Sequence, residues 1–289
     1  MIKPQVIATD LDGTLFYPKK RVMLIPKDSK RFLRRFVDDG GKLLVVTGRG
    51  KYFADKVARS LKRPVDVVGC NGSFIVSNNQ TIKEAFFNIE ELKRVLEEIR
   101  REHKLMFISL FCKNCNFVID ISMMKTFPRI GYRLYEFYQG CYHERVLKSE
   151  RIFYEQLEKG EVYKVLLFVG PWKKYIKQSE ELCDLLSIRY PNFNFAASNQ
   201  AIEVTPKGIT KSSGIAFYLE NNAISKDNVI VVGDSGNDIS MFDSYYQQSY
   251  CMSHASKNVQ CHAKTLIERF SDLEKYVYPS EENENSKDN

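Results

Sequence analysis

The segment "VIATDLDGTLF", residues 6–16, decides the fold, because it joins a short apolar run to two closely spaced acidic residues. Residues 5–9 are typical of a buried strand, and Asp10 and Asp12 follow it one residue apart. Carboxylates this close raise each other's pKa unless a cation neutralises them. The pair therefore indicates a functional site where the strand ends, and the alternative is an Asx-rich turn.

Strand-like and helix-like segments alternate around this motif and again near the C-terminus. A predicted helix over residues 28–38 precedes the strand "GKLLVVTG" and the helix "KYFADKVARSL"; later, the helix "KSSGIAFYLENN" precedes the strand "NVIVVGDS". This rhythm predicts an α/β fold with a doubly wound parallel sheet. Ligands bind such sheets at the carboxyl ends of the strands, so we expect Asp10, Thr47 and Asp234 to converge on one cleft.

The middle of the chain has a different pattern. Residues 88–103 are amphipathic, "KLMFISLFCKNCNFVID" is typical of a hairpin, and further helices and strands follow up to residue 205. We therefore expect an α+β domain inserted into the first sheet. The predicted division is a core of residues 1–83 and 197–278, a cap of residues 84–196, and a disordered polar tail of residues 279–289.

Composition excludes several classes of protein. The chain has 289 residues, of which 44% are hydrophobic and 27% charged, as is ordinary for a soluble globular protein. No apolar run approaches the roughly 20 residues of a membrane span, and the first residues lack a signal-peptide pattern. Seven scattered cysteines do not suggest a disulfide framework. We therefore expect a cytoplasmic protein with reduced thiols.

The net charge of +7 is concentrated near the N-terminus, where residues 19–36 read "KKRVMLIPKDSKRFLRRF". This stretch is either a surface for an anionic partner or the solvated face of a helix. Phe32, Leu33 and Phe36 mark one apolar side, and no aromatic platform for bases accompanies the charge. The sequence thus favours the helix face and does not favour nucleic acid as a partner.

One cysteine group has some of the ligand types of a zinc site. It consists of Cys112 and Cys115 in "CKNC", and of Cys141 and His143 in "CYH". The two pairs are far apart in sequence, and the first falls at the predicted hairpin turn. Zinc is therefore a weak alternative.

The acidic pair fits the chemistry of phosphate ester hydrolysis. Such esters are among the slowest to react in water, and an aspartate divides the reaction into two easier steps by accepting the phosphoryl group covalently. A second acid protonates the leaving oxygen and later helps to deprotonate water. Asp10 fits the nucleophile and Asp12 the acid and base, with Mg²⁺ neutralising the carboxylates and bridging to the phosphate.

Three other segments supply the groups that this chemistry needs. "LLVVTGR" places a hydroxyl at the end of a strand, "EVTPKGITKSSG" offers two lysines beside a turn, and "VIVVGDSGNDISMF" adds two carboxylates and an amide. These groups suit phosphate oxygens, charge compensation and a metal site. The candidates are Thr47, either Lys207 or Lys211, Asp234, Asp238 and Asn237.

With these segments the sequence resembles the Cof-type group of the haloacid dehalogenase superfamily, which has a cap of subclass IIB. The motifs are "DLDGTL", "VVTGR", "CNGSFIV", "IEVTPKGITKSSGI" and "VVGDSGNDISMF". The resemblance implies Asp10 as nucleophile, Asp12 as acid and base, and Lys211 rather than Lys207 at the phosphate. It implies Mg²⁺ bound by Asp10, the Asp12 carbonyl and Asp234, with Asp238 supporting, and phosphate bound by Leu11, Thr47, Gly48, Lys211 and Asn237.

The sequence also departs from the group's pattern. The group usually has "AM-x-NA" after the last motif, whereas this chain has "CMSHA", with His254 in place of the asparagine. His254 is therefore a candidate for contact with the substrate, and Arg49 and Asn71, which match motif positions near the cleft, are two more. These departures concern the substrate and local loops, and they leave the reaction chemistry intact.

The sequence therefore predicts a Mg²⁺-dependent phosphatase that acts on a small phosphorylated metabolite through an aspartyl-phosphate. The alternatives are a phosphohexomutase of the same subclass and a non-catalytic binding protein that uses the basic N-terminal face. The sequence does not identify the substrate, because its recognition depends on cap side chains that form no recognisable sequence motif.

Overall fold

The computed structural model describes residues 4–18, 25–113, 118–120, 145–147 and 149–279. Its strands are β1 (Val6–Thr9), β2 (Lys42–Val46), β3 (Asp66–Gly69), β4 (Phe74–Ser77), β5 (Gln80–Glu84), β6 (Phe107–Cys112), β7 (Val118–Asp120), β8 (Arg145–Leu147), β9 (Val162–Phe168), β10 (Phe193–Ser198), β11 (Ala201–Pro206), β12 (Val229–Gly233), β13 (Ser249–Met252) and β14 (Thr265–Ile267). Its α-helices are α1 (Lys27–Asp38), α2 (Lys51–Leu61), α3 (Ile89–Glu102), α4 (Glu150–Glu158), α5 (Tyr175–Arg189), α6 (Lys211–Asn221), α7 (Ile239–Ser244), α8 (Lys257–Gln260) and α9 (Glu274–Val277).

The larger sheet contains eight strands in the order β14-β13-β12-β1-β2-β3-β4-β5. The first six run parallel, and β4 and β5 add an antiparallel edge. The doubly wound parallel sheet predicted from the sequence is thus confirmed, with two strands added at one side. Because β12, β1 and β2 are neighbours, the residues that follow them meet at one edge of the sheet.

Helices cover both faces of this sheet, which explains why its central strands β1 and β12 are buried at every position. Along β1, Ile7 packs into one hydrophobic cluster while Val6 and Ala8 pack into the other. The cluster around Ile7 includes Phe32 of α1, and the other cluster includes Tyr218 of α6. The apolar side of α1 is therefore buried, as expected for a helix whose basic face is solvated.

The smaller sheet has the order β10-β11-β9-β6-β7-β8 and is antiparallel except between β7 and β8. One of its faces packs on α3, α4 and α5 through a separate hydrophobic cluster. Strands β10 and β11 belong to this sheet, although the sequence-based division ends the cap at residue 196. We therefore propose that the inserted domain extends to Pro206.

Contacts around Tyr163 join the two sheets. The Ser73 hydroxyl donates to the Tyr163 carbonyl oxygen at 2.7 Å, and the Tyr163 hydroxyl donates to Glu84. The Tyr163 ring stacks on Phe86, with 4.9 Å between ring centroids. These contacts hold β9 of the smaller sheet beside the segment that leaves the larger one.

Several features of the sequence lie wholly or partly outside the described residues. Among them are Cys115, Cys141 and His143 of the zinc alternative, whose remaining member, Cys112, ends β6. Residues 19–24 of the basic stretch and residues 280–289 of the polar tail also fall outside. Within the described ranges, every helix is too short or too polar to span a bilayer.

A buried hydrogen bond fixes α6 against the larger sheet. The Tyr218 hydroxyl donates to Asp66 Oδ2 at 2.6 Å, and Asp66 Oδ1 accepts the backbone N–H of Asn78 at 2.8 Å. Tyr218 is fully buried, so loss of its hydroxyl leaves a buried carboxylate with one donor fewer. This bond positions the helix that begins at Lys211.

We expect Tyr218→Phe to lower the free energy of unfolding by about 1–3 kcal/mol, the cost of a buried polar group that loses its partner. Urea denaturation followed by circular dichroism measures this change. Tyr245→Phe is the matched control, because Tyr245 is also buried in the same cluster and only burial raises its pKa, to about 12. Equal losses in the two variants would contradict a specific role for the bond to Asp66.

Candidate active site

Three carboxylates gather at the carboxyl edge of the larger sheet. Asp10 follows β1 and Asp234 follows β12, while Asp238 ends a short turn just before α7. One carboxylate oxygen from each lies within 4.8 Å of the others. The convergence expected for Asp10 and Asp234 therefore exists in the structure.

The Lys211 ammonium lies between two of these carboxylates. Lys211 Nζ is 2.7 Å from Asp10 Oδ1 and 2.6 Å from Asp238 Oδ1, and its side chain is completely buried. Lys211 is the first residue of α6, where a capping box between Thr210 and Ser213 fixes the start of the helix. Lys207, the other lysine considered, is exposed.

Asp238 connects this lysine to the loop that carries Asp234. Its Oδ2 atom accepts the backbone N–H groups of Asp234 and Ser235, each at 2.9 Å, while Oδ1 accepts from Lys211. Both of its oxygens are therefore engaged by protein donors. Asp238 holds Lys211 and the Asp234 backbone in place.

Burial raises the pKa of Asp10 well above its ordinary value; the Lys211 ammonium opposes this rise, and the Asp238 carboxylate adds to it. The pKa of Asp234 is also raised by burial, against hydrogen bonding from His254. For Lys211, burial alone lowers the pKa, but Asp10 and Asp238 outweigh it and the net direction is upward. The cluster therefore has an excess of negative charge that its one lysine does not balance.

The backbone at Gly13 allows Asp234 to approach the acidic motif closely. Gly13 has a φ of +79°, and a Cβ atom there would lie 2.2 Å from Asp234 Oδ2. Next to it, the Thr14 hydroxyl donates to Asp234 Oδ1 at 2.7 Å. Any side chain at Gly13 would therefore displace the Asp234 carboxylate.

The chemistry of these donors fits a divalent cation. When ionised, Asp10, Asp234 and Asp238 together with Lys211 carry a formal net charge of −2. Carboxylate oxygens are the ligands that Mg²⁺ and similar hard cations prefer. The site is thus suited to a metal of that class, and Asp10 and Asp234 are the side chains available to bind it.

Asp12 is not one of these three carboxylates and pairs with Arg49 instead. The guanidinium donates from Nε to Asp12 Oδ2 at 2.5 Å and from Nη2 to Oδ1 at 2.8 Å. Arg49 also lies over the Phe53 ring, 4.2 Å from its centroid. Asp12 remains about half exposed, so its carboxylate is accessible to solvent.

Two candidates for phosphate binding, Thr47 and Leu11, lie in the turns that follow β2 and β1. Thr47 is buried, and its Oγ1 accepts the backbone N–H of Arg49 at 3.1 Å. The Thr47 carbonyl accepts the N–H of Asn71 at 3.0 Å. Leu11 is buried in the turn after β1. The contacts of Thr47 therefore join the turn after β2 to the turn after β3 at the same edge of the sheet.

Two residues that sequence analysis missed also reach this place. Glu203 of β11 accepts hydrogen bonds at Oε2 from the side-chain amides of Asn71 and Asn237, the latter at 3.2 Å, and Lys164 Nζ of β9 lies 3.5 Å from the same oxygen. Their signal in the sequence is a single charged residue within a strand that otherwise has none, in "AIEVTP" and "VYKVLLF". That the two strands are neighbours is known only from the structure.

His254 lies next to Asp234, one of the two side chains available to bind a metal. Its Nε2 is 3.6 Å from Asp234 Oδ2, and its ring stacks on Tyr17 with 4.0 Å between centroids. The position predicted for substrate contact therefore faces a candidate metal ligand. Arg49 and Asn71, the other two candidates for substrate contact, face Asp12 and Glu203.

Comparison with known proteins finds a hydrolase family and relatives that are named as phosphatases. The family model for haloacid dehalogenase-like hydrolases matches residues 7–272. The chain is 25% identical to the 5-amino-6-(5-phospho-D-ribitylamino)uracil phosphatase YcsE of Bacillus subtilis over 238 residues, which cover 82% of this chain and 79% of that protein. It is 24% identical to the phosphoglycolate phosphatase of Methanobrevibacter smithii over 233 residues, covering 80% and 79%.

Among solved structures, the HAD subclass IIB sugar phosphatase BT4131 superposes with a TM-score of 0.71 at 19% identity. The superposition covers 94% of this chain and 96% of that one. At this identity the likeness concerns the fold, including both sheets.

Lys211→Met is expected to destabilise the metal-free protein by about 3–5 kcal/mol, because it leaves the buried carboxylates of Asp10 and Asp238 without their cation. Urea denaturation near neutral pH in the presence of a chelator measures this loss. Lys207→Met removes an exposed lysine four positions earlier and should change stability by less than about 0.5 kcal/mol. Similar effects of the two substitutions would contradict the assignment of Lys211.

Proposed function

The chain belongs to the haloacid dehalogenase-like hydrolases, and from this membership and the geometry of its acidic cluster we propose that it is a Mg²⁺-dependent phosphatase of the Cof type. Its substrate is a small phosphorylated metabolite. The observation that carries the proposal is the buried contact of Lys211 with Asp10 and Asp238, next to Asp234. Burying charged groups in this way costs free energy. In phosphoryl transfer such groups stabilise the charge that develops on the phosphoryl group.

The reaction proceeds in two displacements at phosphorus. An oxygen of Asp10 attacks the phosphorus atom, the bond from phosphorus to the ester oxygen breaks, and the Asp12 carboxyl gives a proton to the leaving oxygen. Asp12, now a carboxylate, takes a proton from a water molecule that attacks the same phosphorus. The bond between phosphorus and Asp10 then breaks, which releases inorganic phosphate and regenerates Asp10.

Arg49 influences the first of these steps. Because its guanidinium holds the Asp12 carboxylate through two hydrogen bonds, Asp12 has to leave that pair before it carries a proton to the leaving group. The paired state suits Asp12 as a base, and the released state suits it as an acid.

The remaining groups bind the phosphoryl oxygens and balance charge. We assign the phosphate contacts to Thr47, Gly48, the backbone at Leu11, Lys211 and Asn237. Mg²⁺, when bound by Asp10, the Asp12 carbonyl and Asp234, supplies the positive charge that offsets the carboxylates and the phosphate. Asp238 supports this site through its contacts with Lys211 and the Asp234 backbone.

The relatives support phosphate monoesters as substrates but differ among themselves. Their names specify a ribitylamino-uracil phosphate in one case and phosphoglycolate in another. We propose a cytoplasmic location, since Cys70, Cys183 and Cys251 are buried as free thiols. The inserted domain, which we extend to Pro206, determines the choice of leaving group.

Asp10→Asn should reduce phosphate release from p-nitrophenyl phosphate by at least about a thousandfold, because the amide has the shape of the carboxylate but does not attack phosphorus. Release of inorganic phosphate measures the change, and circular dichroism checks the fold. Asp55→Asn, at an exposed position in α2, should retain full activity. An Asp10→Asn variant within about tenfold of the parent rate would exclude the covalent mechanism.

Mg²⁺ is expected to raise the thermal midpoint by several degrees near neutral pH and by less at about pH 5. The folded-state pKa values of Asp10 and Asp234 are raised, so the metal-free protein loses stability as pH rises through them, and a cation removes that loss. Thermal denaturation with Mg²⁺ and with EDTA measures the difference.

The matched variant for this measurement is Asp234→Asn, which removes a proposed ligand and should abolish most of the stabilisation by Mg²⁺. Phosphate release should likewise require Mg²⁺ and cease in EDTA. Full activity in chelator, or a thermal shift that survives Asp234→Asn unchanged, would contradict the proposed metal site.

A further inference from the structure

Lys164 and Glu203 project from the face of the smaller sheet that is opposite to its helices. Glu203 is paired with Leu166 in the register of β11 and β9, and Lys164 is two residues from Leu166 on the same face. Val165 and Leu167, which alternate with them, pack into the cluster with the helices. The charged pair therefore belongs to the face turned toward the larger sheet.

This pair lies directly against the turn after β2. A Cβ atom built on Gly48 would be 2.9 Å from Glu203 Oε2, 3.1 Å from Glu203 Oε1 and 3.0 Å from Lys164 Nζ. Lys164 Nζ is also 4.3 Å from the centroid of the Phe111 ring, which helps to fix its position. Because Gly48 is a proposed phosphate contact, the pair borders the place where the phosphoryl group binds.

Stability does not account for such a pair. Glu203 is 9% exposed and Lys164 is 2% exposed, so both charges have lost most of their hydration. Buried ion pairs are often no more stabilising than apolar side chains of the same volume. The carboxylate also engages the amides of Asn71 and Asn237, which come from two separate loops. Four polar groups from both sheets thus meet beside the phosphate turn.

Glu203 and Asn71 offer hydrogen-bond acceptors beside the phosphate turn. Burial alone raises the pKa of Glu203, but Lys164 and the amide of Asn71 reverse this, so the pKa lies below its ordinary value and the carboxylate is ionised. The described contacts of Glu203 all involve Oε2. Among the described residues, the buried Oδ1 atom of Asn71 has no hydrogen-bond partner. Glu203 Oε1 and Asn71 Oδ1 are therefore two acceptors suited to donors from a ligand.

We propose that Glu203, neutralised by Lys164, recognises the leaving group by accepting hydrogen bonds from its hydroxyl or amine groups, with Asn71 as a second acceptor. This inference rests on the proposed phosphatase function and names its substrate class: phosphate esters with hydroxyl or amine donors close to the ester oxygen. Lys164 neutralises the charge of Glu203, so the pair does not repel the phosphate dianion as an isolated carboxylate does.

The test compares sorbitol 6-phosphate with n-hexyl phosphate, which have the same number of carbons with and without hydroxyl groups. We expect the parent enzyme to prefer the polyol ester by at least about tenfold in kcat/KM, as for sites built to pair with polar groups. Glu203→Gln should reduce that preference to within about threefold. Because it also leaves the Lys164 ammonium unpaired beside the phosphate, the readout is the ratio of the two kcat/KM values and not the rate with either ester. Glu98→Gln is the control, since Glu98 pairs with Tyr190 and Arg189 in the same domain.

Lys164→Met should give a different pattern. It leaves the Glu203 carboxylate unbalanced beside the phosphate, so KM for both esters should rise by a similar factor of about ten while the polyol preference persists. A merely structural role for the pair predicts equal losses for both esters in both variants. That result, or a polyol preference that survives Glu203→Gln, would overturn the inference.

Binding to the Asp10→Asn variant separates this inference from the proposed function. Calorimetric titration with the two esters, with and without Glu203→Gln, reads the preference in the absence of turnover. If the parent releases no phosphate from any ester, the proposed function fails, whereas a polyol preference in binding that Glu203→Gln removes still supports Glu203 as the recognition residue. Equal binding of the two esters to Asp10→Asn would overturn it.

Discussion

The buried contact of Lys211 with Asp10 and Asp238 is the constraint on which the rest of the site depends. Removing an ammonium and two carboxylates from water costs several kcal/mol for each charge, so the surrounding structure has to hold their geometry. It does so from three directions: β1 positions Asp10, the start of α6 positions Lys211, and Asp238 binds the backbone beside Asp234. The charge that remains unbalanced suits this cluster to a divalent cation.

The two sheets divide the work of such a site. The larger sheet brings the reacting groups together because β12, β1 and β2 are adjacent and parallel, so the residues that follow them share one edge. The smaller sheet contributes Lys164 and Glu203 from strands that have no other charged residue. The chemistry that we propose thus belongs to loops of one sheet, and the recognition that we propose belongs to the face of the other.

Much of this arrangement could be predicted from the sequence, because the deciding signals are local. An apolar run that ends in Asp10 and Asp12 indicates both a buried strand and a site at its end, and the same holds for Asp234. The pairing of Asp12 with Arg49 and the meeting of Glu203 with Asn71 depend on tertiary contacts, which local patterns do not encode. The antiparallel edge formed by β4 and β5 was not predicted as part of the sheet, since the pairing of a strand depends on contacts with its neighbours.

The covalent role of Asp10 is the central claim, and chemical trapping of the intermediate tests it most directly. Enzyme mixed with a phosphate ester labelled with radioactive phosphorus and Mg²⁺ is quenched in acid during turnover, digested and mapped by mass spectrometry. The account predicts that the label is on the peptide containing Asp10 and is absent from Asp10→Asn. Hydroxylamine should release this label, because it cleaves acyl phosphates. Label on another residue, or turnover with no labelled peptide at any time, would contradict it.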